Sequence, residues 1–403
     1  MSGLPRRALV LGLAVTGEAA ALALAARGVE VVANDRSADA QPGRLSGTGV
    51  ELRLGTEDES VLSGVDLVVK SPGVPARSPV AAAAAARGIP IWSEIELGWR
   101  LLPGNPVLGV TGTKGKTTTV RLLGAMFAEA GVDAVLAGNE HVPLSEIALT
   151  VDEGTWIICE LSSFQLEHVE TFACDIAVLL NLEPDHLDRH GTFEDYRTAK
   201  LRIFERATTK IGPGDFSEDD PLPAEPRMPG AHNRANAAAA TAAARAAGLP
   251  DDAIAEALRT FAGVPHRLEL VRDLRGVRYV NDSKATNTAA ARRGVAAYDA
   301  PLHLILGGSL KGEDFGPFAA ELPANVRSIH LIGEASDELA AALDAAGRAY
   351  ARDGDLATAI EHATADAQPG DVILLSPATT SFDQFRSFEE RGDTFRRLVE
   401  ELA

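Results

Sequence analysis

Residues 109–118 of this 403-residue chain read Gly-Val-Thr-Gly-Thr-Lys-Gly-Lys-Thr-Thr. The stretch follows a proline-bounded apolar segment and precedes a helix-like segment, residues 120–130. Backbone N–H groups of such a loop, with the positive end of the helix dipole, bind phosphate. The spacing places Lys116 at the β- and γ-phosphates of a nucleotide and the hydroxyl of Thr117 on Mg²⁺. The pattern predicts a P-loop variant with Val110 where the usual motif has glycine.

On both sides of this loop, apolar strands alternate with helical stretches, which predicts an α/β protein. The length favours two or three domains. We predict a Rossmann-like domain at residues 1–94, a central P-loop ATPase domain with a mostly parallel sheet at 95–264, and a second Rossmann-like domain at 265–403. The central domain contains a loop rich in proline, glycine and acids at residues 211–230.

The first turn, residues 12–17, reads Gly-Leu-Ala-Val-Thr-Gly. It matches the dinucleotide pattern G-x-G-x-x-G except at Ala14, and Asp35 lies near the acidic position of that pattern. An NAD-binding domain is therefore one interpretation. Ala14 argues against it, because the second glycine normally lets the pyrophosphate approach the backbone.

Polar groups follow several other predicted strands, at the carboxyl ends where open α/β sheets bind ligands. In the central domain, strand 156–160 ends in Glu160, and strand 176–180 leads to the run 185–188, Asp-His-Leu-Asp. In the third domain such turns are residues 281–284, 307–311 and 376–377, the last of them after a strand predicted at 372–375.

Together these motifs resemble the Mur ligases, which build the peptide of bacterial cell-wall precursors. The resemblance is carried in order by residues 111–117, 160–166, 185–188, 196–202, 281–287 and 375–385. It implies an ATP-dependent ligase that joins D-glutamate to UDP-N-acetylmuramoyl-L-alanine through an acyl phosphate, in peptidoglycan synthesis. Two alternatives stay open: a related ligase with another acceptor or amino acid, such as L-glutamate, and a nucleotide-binding homologue without catalysis.

The resemblance also implies the residues of the reaction centre. The catalytic residues are Lys116, Glu160, His186 and Lys200. The Mg²⁺ ligands are Thr117, Glu160, His186 and Lys200, with Lys200 carbamylated by CO₂ so that it becomes an oxygen ligand. The residues that bind ATP are Gly112, Thr113, Gly115, Lys116, Thr117, Thr118, Asn233, Asn236, Arg267 and Asp282. For Lys200 the competing interpretation is a solvated surface lysine.

Substrate contacts are implied in the same way. Those for the UDP-sugar are Thr16, Asp35, Arg36, Ser71, Pro72, Gly73, Asn139, Ser162 and His186. Those for glutamate are Lys284 or Lys311, Thr286, Ser381, Phe382 and Phe388. A solvated loop lysine is the competing interpretation for Lys311.

Three features depart from the family pattern. The segment between Lys200 and His232 is short, around residues 205–231, so outer strands of the central domain are expected to be missing. The usual Gly-Asn-Ile-Gly element reads Gly-Asn-Glu-His at 138–141, and Ala14 replaces a glycine. The nucleotide and metal residues are retained, which favours an active ligase.

Composition excludes several classes of protein. The net charge of −19 argues against a nucleic-acid or anionic-membrane partner. Cys159 and Cys174 cannot form a disulfide framework and suit a reducing cytosol. The short apolar run after Arg6-Arg7 is expected to be a first strand rather than a signal peptide, and no apolar stretch is long enough to span a bilayer. We expect a cytoplasmic monomer.

Overall fold

The computed structural model describes residues 4–228, 230–310 and 312–402. The chain divides into two compact units, Met1–Phe261 and Ala262–Ala403. The first unit contains two sheets and the second unit contains a third sheet. The predicted α/β class is therefore confirmed, whereas the domain boundaries near residues 94 and 264 stay predictions. In the described part of the chain, no helix combines the length and apolar character needed to cross a membrane.

The first sheet is parallel, with strand order β3-β2-β1-β4-β5. Its strands are β1 (Arg7–Leu11), β2 (Glu30–Asp35), β3 (Glu51–Leu54), β4 (Leu67–Lys70) and β5 (Ile91–Ser93). Its helices are α1 (Val15–Ala26), α2 (Pro79–Ala86) and α3 (Glu94–Leu101). The strand order reverses between β1 and β4, so the turns after these two strands open a crevice where ligands bind in such sheets.

The central sheet is also parallel, with order β10-β9-β6-β8-β7. Its strands are β6 (Val107–Thr111), β7 (Ala134–Gly138), β8 (Trp156–Glu160), β9 (Ile176–Leu179) and β10 (Thr209–Ile211). The helices are α4 (Lys116–Glu129), α5 (Leu144–Ile147), α6 (Ser163–Leu166), α7 (Leu187–His190), α8 (Phe193–Leu201), α9 (Ala231–Ala246) and α10 (Asp251–Thr260). The P-loop follows β6, which lies between β8 and β9.

The third sheet is mixed, with order β11-β12-β16-β13-β14-β15. Its strands are β11 (Glu269–Leu274), β12 (Val277–Asn281), β13 (Leu302–Gly307), β14 (Val326–Ile332), β15 (Ala351–Gly354) and β16 (Val372–Leu375). The helices are α11 (Thr288–Ala296), α12 (Gly316–Ala320), α13 (Ser336–Ala345), α14 (Leu356–Asp366) and α15 (Phe388–Glu400). Strands β11 and β12 are antiparallel and the other neighbours are parallel.

Burial explains why the central strands were predicted well. Strands such as β6, β13 and β16 are buried along their whole length, as continuous apolar runs in two-sided sheets are. The predictions of residues 156–160 and 372–375 as strands match β8 and β16. The helix predicted from residue 120 instead begins at Lys116, so the P-loop leads directly into it.

One buried acid joins the first two sheets. The carboxylate of Glu94, in the first turn of α3, accepts a hydrogen bond from the backbone N–H of Ser145 in α5 at 2.6 Å. Burial raises the pKa of Glu94 to about 7, against the effect of that hydrogen bond. Its neighbour Glu96 accepts backbone hydrogen bonds from Glu170, Thr171 and Phe172.

Candidate active site

The P-loop is shaped by a glycine and closed by a lysine. Gly115 has φ +86°, and a Cβ at this position would overlap the amide of Asn236 in α9. Helix α4 begins at the next residue. The ammonium of Lys116 donates to the carbonyls of Gly112 and Thr113 at 3.0 and 3.1 Å. Lys116 therefore lies across the loop that is predicted to hold the phosphates, and Gly115 lies against Asn236, which is predicted to bind ATP.

The P-loop is also held by residues that follow β9, a contact that was not predicted from the sequence. Asn181 accepts from Lys114 N–H at 2.8 Å and donates to the carbonyl of the same residue. The hydroxyl of Thr113 lies 2.8 Å from the Tyr196 hydroxyl and accepts from Glu183 N–H. The sequence signal was the polar run after strand 176–180, but its contact with the P-loop depends on the strand order.

Glu160, at the end of β8, offers a buried carboxylate beside the P-loop. Its Oε1 accepts from the Asn139 amide at 3.2 Å, and its Oε2 lies 3.5 Å from His141 Nε2. Burial favours the protonated form, but contacts with His141, Lys116, Asn139 and Thr117 lower the pKa of Glu160 overall. A charged carboxylate therefore lies next to Lys116 and Thr117.

The donor atoms around Glu160 fit a magnesium ion. Its Oε2 is buried and accepts no hydrogen bond from the described residues. Mg²⁺ prefers oxygen ligands, keeps several waters and uses substrate phosphates, so one carboxylate and one hydroxyl are sufficient protein ligands. No cluster of three or more His, Cys, Asp or Glu that could hold a metal occurs among the residues with described positions. Glu160 and Thr117 could thus hold the ion only together with phosphate or water.

Lys200 lies under the P-loop, and its side chain is buried. Only 2% of the residue is exposed, which excludes a solvated surface lysine. Its ammonium donates to the carbonyl of Gly112 at 2.8 Å and to the hydroxyl of Thr111 at 3.4 Å. Burial, with a contribution from Lys116, lowers the pKa of Lys200 to about 7. A large fraction of this amine is therefore neutral near neutral pH.

His186 lies at the start of α7 with an unusual backbone. Its φ is +53°, in the left-handed region, and its side chain is about half exposed. The ring lies 5.0 Å from the ring of Phe164. Nε2 is 3.7 Å from the Asp185 carboxylate. Its predicted metal contact stays a prediction.

The first sheet builds a tight turn at its switch point. Leu13 N–H donates to the carboxylate of Asp35 at 2.8 Å, and the Ser71 hydroxyl donates to the carbonyl of Gly12 at 2.7 Å. A Cβ on Gly17 would overlap the carbonyl of Gly12. Asp35 and Ser71 therefore position the first turn, from the ends of β2 and β4. Of the other residues predicted to contact the UDP-sugar here, Arg36, Pro72 and Gly73 lie on the turns after β2 and β4, and Thr16 lies in the first turn of α1.

The loop after β4 is tied to the central domain. The carbonyl of Val74 accepts from the Lys70 ammonium at 2.8 Å and from the Arg189 guanidinium at 2.9 Å. Arg189 stacks on Phe164 at 3.9 Å, next to His186. Neither cation was singled out from the sequence, since Lys70 is the last residue of a buried strand and the Arg189 contact joins residues 115 positions apart.

Two further residues predicted for the UDP-sugar lie near Glu160. Asn139 binds both the carboxylate and the backbone carbonyl of Glu160. Ser162 caps α6, and its hydroxyl accepts from Gln165 N–H in a capping box. His141, part of the altered element 138–141, contacts Glu160 and was not singled out from the sequence.

In the second unit, Asp282 is buried with internal partners. Its carboxylate accepts from the Ser376 hydroxyl at 2.7 Å and from Leu268 N–H at 3.3 Å. Burial raises its pKa to about 7. Exposed Arg267 lies between His266 and Leu268, which both have positive φ. The predicted contacts of Asp282 and Arg267 with ATP stay predictions.

The residues predicted for glutamate lie on turns at the carboxyl ends of β12 and β16 and at the start of α15. Ser381 is buried, whereas Lys284, Thr286 and Phe388 are partly buried. Phe382 is 70% exposed. Lys311 lies outside the described residues. Asn233, predicted for ATP, is partly buried at the start of α9 in the first unit.

Comparison with known proteins places these features in a family. The model of the Mur ligase MurD-like N-terminal domain matches residues 6–93, that of the Mur ligase middle domain matches 110–217, and that of the Mur ligase glutamate ligase domain matches 266–379. The UDP-N-acetylmuramoylalanine–D-glutamate ligase of Pelotomaculum thermopropionicum is 38% identical over 448 residues, which cover 98% of this chain and 97% of the relative. The chain belongs to the Mur ligase family.

Other Mur ligases of the same name are equally similar. The Sphingopyxis alaskensis enzyme is 40% identical over 431 residues, covering 98% of each chain, and the Anaeromyxobacter dehalogenans enzyme is 39% identical over 455 residues, also covering 98% of each. These alignments are longer than the 403 residues of this chain, so they contain gaps opposite it. Shortening near residues 205–231 stays a prediction.

Solved Mur ligase structures share the fold. UDP-N-acetylmuramate–alanine ligase from Thermotoga maritima covers 98% of both chains at 17% identity, with a TM-score of 0.53. The MurF ligase of the same organism, in complex with ADP, covers 93% of this chain and 90% of its own, at 17% identity and a TM-score of 0.54. At this identity the likeness concerns the fold alone.

Proposed function

We propose that this Mur ligase joins D-glutamate to UDP-N-acetylmuramoyl-L-alanine with ATP, as a step of peptidoglycan precursor synthesis. The observation that carries the proposal is the nearly full-length similarity to ligases of that name. The gathering of Lys116, Glu160 and Lys200 around one P-loop supports an active enzyme. The lowered pKa of Lys200, about 7, supports a reactive amine and therefore an active ligase over a silent nucleotide-binding homologue.

The proposed reaction has two steps. The γ-phosphoryl group of ATP is transferred to a carboxylate oxygen of the alanyl group, which forms an acyl phosphate and ADP. The amine of D-glutamate then attacks the acyl carbon, the C–N bond forms, and inorganic phosphate leaves. Both ATP and the acceptor are anionic, so cations must offset their repulsion. Lys116 supplies one positive charge at the transferred group, moving from the Gly112 and Thr113 carbonyls to the phosphates.

Glu160 and Thr117 would hold a magnesium ion, and His186 is the proposed ligand of a second. When bound, Mg²⁺ neutralises charge on the phosphates. Lys200 is proposed to carry a carbamate: its neutral amine adds to CO₂, forms an N–C bond and releases a proton. Burial of the amine and its pKa of about 7 support this addition, because the free base is the reacting form. The carbamate would offer oxygen atoms to the metal.

The remaining contacts with the substrates are proposed from the positions of the residues in the fold. The turns with Thr16, Asp35, Arg36 and residues 71–73 would bind the UDP-sugar, together with Asn139, Ser162 and His186. Asn233, Asn236, Arg267 and Asp282 would bind ATP. The turns with Lys284, Thr286, Ser381, Phe382 and Phe388 would bind glutamate.

We also propose three domains with boundaries near residues 94 and 264, and a cytoplasmic enzyme. The free thiols of Cys159 and Cys174 support a reducing compartment.

Phosphate release tests the proposal directly. The purified chain is assayed with ATP, Mg²⁺ and UDP-N-acetylmuramoyl-L-alanine, and with D-glutamate, L-glutamate or D-alanine. We expect D-glutamate to give the highest kcat/KM, since a cationic pocket left without its side-chain carboxylate costs several kcal/mol. Preference for L-glutamate would correct the stereochemistry only. Equal use of D-alanine and D-glutamate, or no release with any amino acid, would reject the proposal.

A further inference from the structure

The loops predicted to bind the amino acid meet at one buried arginine. Arg391, in the first turns of α15, has no measurable exposure, although arginine is rarely buried. Its guanidinium reaches three separate turns of the second unit. These are the turn after β12, the end of β13 with Gly307, and the turn after β16.

All five N–H groups of Arg391 are used. Nε donates to the Ser283 hydroxyl at 3.0 Å, Nη1 to the carbonyls of Gly307 and Thr380 at 3.3 and 3.1 Å, and Nη2 to the carbonyls of Ser283 and Thr379 at 3.0 and 3.1 Å. Guanidinium has five donors, so none remains for a substrate. Arg391 therefore has no N–H left to donate to the amino acid, and it acts on the pocket through the three turns and through its charge.

Two of the three turns, those after β12 and β16, carry residues proposed to bind glutamate. Ser283 precedes Lys284, and its hydroxyl also donates to the carbonyl of Phe388 at 2.8 Å. Thr380 precedes Ser381, and its carbonyl accepts from Ser309 N–H as well as from Arg391. The arginine thus sets the mutual positions of the proposed pocket residues.

The positive charge of Arg391 is not cancelled by a bonded carboxylate. Its acceptors are carbonyl and hydroxyl oxygens, which are neutral groups. Asp383 acts on it from a distance, but the Asp383 carboxylate accepts from Ser309 and Glu334 instead. Burial lowers the pKa of Arg391 to about 10, so the group stays charged at neutral pH. A fixed positive charge beneath these turns favours a ligand with two carboxylates.

We infer that Arg391 is a positioning residue that both assembles the amino-acid pocket and gives it selectivity for a dicarboxylic amino acid. The inference deepens the proposed function and rests on it. Arg391 would thus contribute to the discrimination between acidic and neutral amino acids without contacting the substrate.

The test measures which substrate is affected. In Arg391→Gln we expect KM for D-glutamate to rise by about 10-fold or more, the scale of lost hydrogen bonds to a charged group. KM for UDP-N-acetylmuramoyl-L-alanine should change less than about 3-fold, because that site is proposed on the first unit. The ratio of kcat/KM for D-glutamate to that for D-glutamine should fall. Arg391→Lys, which keeps the charge, should retain more of this ratio. The control is Arg397→Gln, an exposed arginine of the same helix paired with Glu401.

A second variant covers the case in which Arg391→Gln does not fold, as judged by circular dichroism. Ser283→Ala removes the Nε acceptor and the link to Phe388, and should raise KM for D-glutamate by about 3-fold or more. Unchanged KM and selectivity in the folded variants, or an equal loss with D-glutamate and D-glutamine, would overturn the inference. If the wild-type chain uses neither glutamate isomer, the proposed function fails first, and that result is separate.

Discussion

Lys200 and Arg391 are both buried cations that donate to a backbone carbonyl of a turn proposed to bind a ligand, but they differ in what their nitrogen atoms can still do. Lys200 makes two hydrogen bonds and has a pKa of about 7, so its amine can lose a proton and react. Every N–H of Arg391 donates a hydrogen bond to the protein, and the guanidinium stays protonated. Burial alone therefore does not define a structural cation. The number of donors left, and the ease of losing a proton, separate a reactive group from a fixed one.

The largest effect should come from Lys200. We expect Lys200→Ala and Lys200→Arg to lose about 10³-fold or more of kcat, since the proposed carbamate cannot form in either. The Lys200→Arg variant keeps the positive charge, so activity in this variant would contradict the proposed chemistry. Lys200 would then be a structural cation, as Arg391 is. Phosphate release at saturating substrates measures this loss. Formate or acetate should restore part of the activity of Lys200→Ala by supplying a carboxylate in the vacated space.

Lys116 is an intermediate case, because it also donates to carbonyl groups but is proposed to move onto ATP. Lys116→Ala should lower kcat by about 10²-fold, the cost of one preorganised electrostatic contact. Binding of UDP-N-acetylmuramoyl-L-alanine, measured by calorimetry, should change little, and it serves as the control for folding. An active Lys116→Ala enzyme would remove the P-loop from the proposed mechanism.

The turn above Arg391 can be disturbed without touching the arginine itself. Gly308 has φ +142°, and a Cβ there would overlap the carbonyl of Thr380 and meet Arg391 Nη1. Gly308→Ala should raise KM for D-glutamate several-fold. Gly347→Ala is the control for the cost of a positive φ, because Gly347 has φ +66° and no described atom lies within 4 Å of the position that its Cβ would take. Similar kinetics for the two variants would argue against a pocket assembled on Arg391.

The last prediction concerns stability instead of activity, and a buried acid instead of a buried cation. The pKa of Glu94 is raised from 4.5 to about 7, so the folded state holds this proton more tightly than the unfolded state. Stability therefore falls as the pH rises from about 4.5 to about 7, by on the order of 3 kcal/mol from this group. In thermal unfolding, the stability of Glu94→Gln relative to that of the wild type should increase between pH 5 and pH 8. Glu96→Gln should instead lose stability, because hydrogen bonds lower the pKa of Glu96.

Local patterns predicted the parts of the fold that depend on neighbouring residues. Buried runs such as residues 372–375 and the glycine-lysine spacing of the P-loop are visible in the sequence, because two-sided burial and phosphate binding each demand particular residues. The hairpin between β11 and β12 was missed. Its two-residue turn is Arg275-Gly276, both with positive φ, and lacks the usual Asn-Gly signal.

Local sequence patterns did not predict the contacts that assemble the sites. Asn181, His141 and Arg391 each act on residues brought close by the strand order, and Arg391 is one of several arginines in an amphipathic helix. A resemblance supplied the proposed roles of His186 and Lys200. The burial of Lys200 came from the structure, since its helix alone does not say which face is covered.

The long sequence separation of the Arg391 contacts has a consequence for synthesis of the chain. Ser283 lies 108 residues before Arg391, and Gly307 lies 84 residues before it. At about 5–20 residues per second on the ribosome, the turns wait several seconds for the guanidinium that joins them. The P-loop and its partners Asn181 and Lys200 are already complete by then. The nascent chain therefore completes the P-loop well before the turns around Arg391 are joined, and translation that stops before residue 391 leaves those turns without their arginine.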